Sequence, residues 1–86
     1  MAERKQTAAA AYEVRRRDVD KLADMLKEEV AHHAEFAQKD GINWAHAGDL
    51  SHVQGLMIEA LCFLAQQEPG DVTRRLREEL SKEGRS

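Results

Sequence analysis

Cysteine occurs once in this chain of 86 residues, at Cys62, so no internal disulfide can form and no paired-cysteine metal or redox motif exists. A lone thiol points to a reduced, cytoplasmic setting. Proline also occurs once, at Pro69, and glycine five times, which leaves few places where a helix must stop. Aromatic residues make up only 5% of the chain, too few for the core of a β domain. The longest apolar run, Ala60 to Ala65, is too short to cross a bilayer, and the run Ala8 to Ala11 is no signal-peptide core. The formal net charge of −3 supplies no overall drive toward nucleic acid or a membrane. No Gly-rich phosphate loop and no trustworthy Ser-His-Asp spacing occur, so the expectation is a protein that is not an enzyme.

What remains is helix-forming sequence. Alanine, leucine, glutamate, lysine, arginine and glutamine dominate, and the chain reads as all-α. Residues 1–6 are polar and expected to fray, and Thr7 can cap a helix that begins with the alanine run. The apolar stripe proper starts later, with Val19, Leu22, Leu26, Val30, Ala34 and Ala37, widened by Met25 and Phe36. Upstream, the same face carries Arg15 and Asp18. Residues 1–17 therefore read as a basic arm or a weakly held start of helix one, and 18–86 as a single helical domain.

Helix one runs to about residue 39 and a turn covers 40–43, with Gly41 in a left-handed position and Ile42 folded back on Phe36 or Ala37. Asn43 caps helix two over 44–68, with Ile42 and Ala47 as a staple and Trp44 packed at the turn. Gly48-Asp49 is a competing start. Pro69-Gly70-Asp71 ends helix two and caps helix three over 71–82, whose stripe of Val72, Leu76 and Leu80 is narrow. So short a turn after helix one implies an antiparallel hairpin.

Helix two carries too much apolar surface for one partner. At about 100° per residue, Leu50, Val53, Met57, Leu61 and Leu64 form one stripe. Leu56, Ala60 and Phe63 widen it on one side, and Ala47 and Ile58 on the other. The arc exceeds half the circumference, whereas a helix on a single core needs little more than a quarter. In so small a chain the second cover is expected from another copy or from a helical partner protein. The fold expectation is an antiparallel helical hairpin with a short third helix, forming a helical bundle by homo-oligomerisation.

Polar residues interrupt the first stripe. Glu29 and His33 fall within roughly 20° of Leu22, i and i+4 on the side expected to be buried. Antiparallel pairing about 41–42 brings Gln54 near Glu29, and His46 near Ala37. The bland reading of Glu29, His33, His46 and Gln54 is a buried network that sets register. A second is a solvated rim. The sharp reading is a transition-metal site, because imidazole with carboxylate suits zinc, iron or manganese. Glu29-Val30-Ala31-His32 has the Glu-x-x-His spacing of di-iron bundles, but helix two offers only Glu59, on the side away from its stripe, so that site is disfavoured and no cofactor is expected.

Two arginine clusters, Arg15-Arg16-Arg17 and Arg74/Arg75/Arg77, raise nucleic-acid contact as an alternative. Consecutive arginines on a helix spread over three directions, and Glu78, Glu79 and Glu83 lie beside the second cluster, so a solvated charged face is favoured. The functional expectation is a non-enzymatic oligomeric interaction or regulatory module acting through the wide face of helix two. A metal-binding bundle and a nucleic-acid accessory protein stand as alternatives.

Overall fold

The computed structural model describes residues 7–84, which form three helices, with no strand among the described residues. They are α1 (Ala8–Asp40), α2 (Trp44–Ala65) and α3 (Pro69–Glu83). Residues 1–6, expected to fray, lie outside the described residues. The chain divides between Ile42 and Asn43 into two units.

The first unit is one long helix. Thr7 caps it, with its hydroxyl oxygen accepting the Ala10 N–H at 3.0 Å, and four alanines then propagate the first turns. Local ion pairs hold the next two turns. Arg16 donates to Glu13 at 2.7 Å and to Asp20 at 2.8 Å, and Arg17 donates to Glu13 at 3.2 Å. The Arg16 hydrogen bond holds the Glu13 carboxyl below the usual carboxylate range, and Arg17 adds to the effect. The same bond to Glu13, with the charge of Asp20, raises the Arg16 guanidinium. Such exposed i, i+3 and i, i+4 pairs each stabilise a helix only slightly. Along α1 Ala37 is buried and Leu26 half-buried, whereas Val19, Leu22 and Met25 are all at least half exposed.

Gly41 ends α1 with a positive φ of 90°, as expected, but its ψ of 104° lies outside the left-handed helical basin. Of the residues expected in the fold-back, Ile42 stays 68% exposed and Phe36 61%, while Ala37 is buried. That ψ takes Gly41 out of the conformation the fold-back needs.

The second unit pairs α2 with α3. Helix α2 starts at Trp44 and runs unbroken through Gly48-Asp49, so the competing start is not used. It ends at Ala65 rather than 68. Gln66 adopts the left-handed conformation (φ 57°, ψ 48°) and returns its N–H to the Cys62 carbonyl, which closes the helix before Pro69 is reached. Helix α3 begins at Pro69, not at residue 71. Proline suits the first helical position because its missing N–H would be unpaired there, so Glu68 becomes the cap. Asp71, expected as the cap, instead accepts the Glu68 N–H at 3.4 Å from the third helical position. Val72 is buried and Leu76 half-buried on α3, while Arg75 reaches Gln67 Oε1 at 3.0 Å. On the C-terminal half of α2, Ile58 and Cys62, i and i+4, lose exposure.

Candidate interaction surface

Covering Ile58 and Cys62 leaves the rest of the α2 arc open. Phe63 is 77% exposed, Leu64 73% and Leu56 53%, and Leu50, Met57, Ala60 and Leu61 are exposed as well. Val53, near the middle of the arc, is half-buried. On a helical wheel these eight residues occupy roughly 160°, away from the Ile58–Cys62 edge. Helix α2 holds no lysine or arginine, and its only formal charges are Asp49 and Glu59. Trp44, expected to pack at the turn, is instead 90% exposed: at the first helical position it has no preceding helical turn to lie over.

Glu29 and His33 belong to the first unit, and His46 and Gln54 to the second. The Glu29 carboxylate lies 3.7 Å from His32 Nδ1, both side chains being well exposed, and His33 is half-buried. His46 is buried and serves the backbone. Its Nδ1 accepts the Asn43 N–H at 3.1 Å, while Asn43 Oδ1 accepts the N–H of Ala45 at 2.9 Å and of His46 at 3.2 Å. This is a capping box with imidazole in the place usually held by glutamate or glutamine. An Nδ1 that accepts from the backbone leaves Nε2 to carry the proton of the neutral ring. Sequence reasoning missed this role. The signal for it was an asparagine followed three residues later by a side chain with an acceptor. Gln54 is exposed. Among the described residues no three His, Cys, Asp or Glu side chains stand together as a metal-binding set.

The arginines are largely occupied locally. Arg15 reaches Asp18 at 3.9 Å, Arg16 and Arg17 share Glu13, and Arg74 pairs with Asp71 at 3.0 Å. Arg74, Arg77 and Lys82 line a shallow open groove on α3 together with Ser81 and Glu78, whose carboxylate offsets the positive field there. No helix among the described residues is long and apolar enough to cross a membrane. Comparison with protein-family models, with curated proteins and with solved structures gives no match.

Proposed function

We propose that this chain is a small, cytoplasmic, non-enzymatic interaction module that self-associates through the apolar face of α2. The observation that carries the reading is the exposure of Leu56, Phe63 and Leu64 on a helix whose other edge α3 already covers. Open contiguous apolar surface of this kind marks an association site. Absence of lysine and arginine from α2 argues against a membrane-surface helix, which draws on basic residues to hold anionic lipid. Only residues 41–43 separate α1 from α2, a length that favours antiparallel neighbours. In this proposal two hairpins pair into a four-helix bundle, so that each α2 is covered from two sides.

Native mass spectrometry of the untagged protein, with and without a chelator, tests the proposal. A metal-free dimer or higher oligomer supports it. A monomer removes self-association and leaves a foreign helical partner for the same face. An extra mass that chelation removes favours metal binding instead.

A further inference from the structure

Along α1 two opposite charges stand at equal distances on either side of Leu22, in the N-terminal part of the apolar stripe. Arg15 and Glu29 each stand seven residues from Leu22, about 10 Å along the axis and within roughly 20° of its direction. Between them Val19, Leu22 and Met25 are 55%, 58% and 50% exposed. Both charged side chains are 75% exposed, with long local contacts from Arg15 to Asp18 at 3.9 Å and from Glu29 to His32 at 3.7 Å. The asymmetry extends further along the chain. Residues 1–17 carry five basic and two acidic residues, whereas 18–40 carry three basic and seven acidic.

We infer that α1 docks antiparallel against α1 of a second copy, about a two-fold axis beside Leu22. A two-fold contact places residue i against j and j against i, so Arg15 of each copy lies beside Glu29 of the other, twice per dimer. Parallel pairing would instead set Arg15 on Arg15, Glu29 on Glu29, and basic start on basic start. Charges set within an apolar seam choose orientation and partner in this way. The occupant is a second copy because this chain itself carries the complementary charge at the matching distance. The inference rests on the self-association proposed above and adds to its α2 contact a second one, between the N-terminal parts of the two α1 helices, with a defined direction.

A charge-swap series on the full chain, followed by sedimentation over a dilution range at low salt, tests it. Arg15→Glu and Glu29→Arg should each weaken the dimer about tenfold, since each change makes two repulsive contacts. The double variant R15E/E29R should recover wild-type affinity, and the differences should shrink at high salt. In a Cys62→Ser background, mixing Arg15→Cys with Glu29→Cys protein should give the mixed cross-link in preference to either self cross-link. A dimeric wild type whose double variant is no tighter than the singles, or which cross-links 15 to 15, overturns the antiparallel placement. A monomeric wild type overturns the self-association beneath it. Circular dichroism of each variant keeps loss of helix distinct from loss of pairing.

Discussion

His46 and Asn43 hold each other at the start of α2. The imidazole Nδ1 accepts the Asn43 N–H at 3.1 Å, and the Asn43 side chain accepts the His46 N–H at 3.2 Å. Two backbone donors that the first turn cannot satisfy internally are thereby paired.

Asn43→Ala should therefore cost about 1 kcal/mol, and Asn43→Asp should cost little, because a carboxylate accepts the same bonds and favours a helix N-terminus. Denaturant melts at fixed protein concentration measure both, since association would otherwise shift the midpoint. Equal losses for the two variants would mean that the cap is not the source.

Gly41 and Gln66, both at positive φ, should respond in opposite senses. Gly41 has nothing within 4 Å of where a Cβ would stand, so Gly41→Ala meets no clash, yet φ of 90° makes it cost about 1 kcal/mol in backbone strain. Gln66 is a non-glycine residue at φ 57°, so Gln66→Gly should stabilise by up to about 1 kcal/mol. The exposed Gln66 bond to the Phe63 carbonyl at 3.1 Å that is lost offsets little of this. A destabilised Gln66→Gly would contradict the assignment of that turn.

Acid should loosen the start of α1. The Glu13 carboxyl is held low by Arg16, so its stabilising contribution is fully present above the ordinary carboxylate range and is lost as pH falls through the lowered value. Amide protection factors across residues 8–20, corrected for the pH dependence of intrinsic exchange, should fall over that window. In Glu13→Gln the exchange should already be faster at neutral pH and should lose the step assigned to Glu13.

Leu56→Asp combined with Phe63→Asp should dissociate the assembly while leaving helix content near the wild-type level, because both side chains are already more than half exposed. Sedimentation and circular dichroism on the same samples separate the two effects. Loss of helix together with the oligomer would place these residues in a core rather than on a docking face.

Thr7 and Asn43 were legible as caps because a cap is a hydrogen bond closed within two or three residues, and residue type nearly decides it. The end of α2 was not. Glutamine has no preference for left-handed backbone, so nothing local announced Gln66 as the stop, and Pro69 drew the expected boundary too far along. Pro69 breaks a preceding helix but equally suits a first helical position, so residue type alone does not say which side of it α3 begins. Of the expected interaction face, Leu56 and Phe63 could be placed on one arc from spacing alone, whereas the expectation of a packed Trp44 gave no hint that it lies open.

Helical character and most helix starts are written in the order of the residues, because propensity, capping and i, i+4 pairing act over a few positions. Which edge of α2 is covered is not: α3 lies against α2 with Ile58 and Cys62 shielded and the Leu56–Phe63 side left bare, and packing alone makes that choice. Helical periodicity tells which side chains share a direction, not which direction a neighbour will meet. On a helix as broadly apolar as α2 several directions serve equally well, and the choice falls to whichever neighbour the next turn delivers.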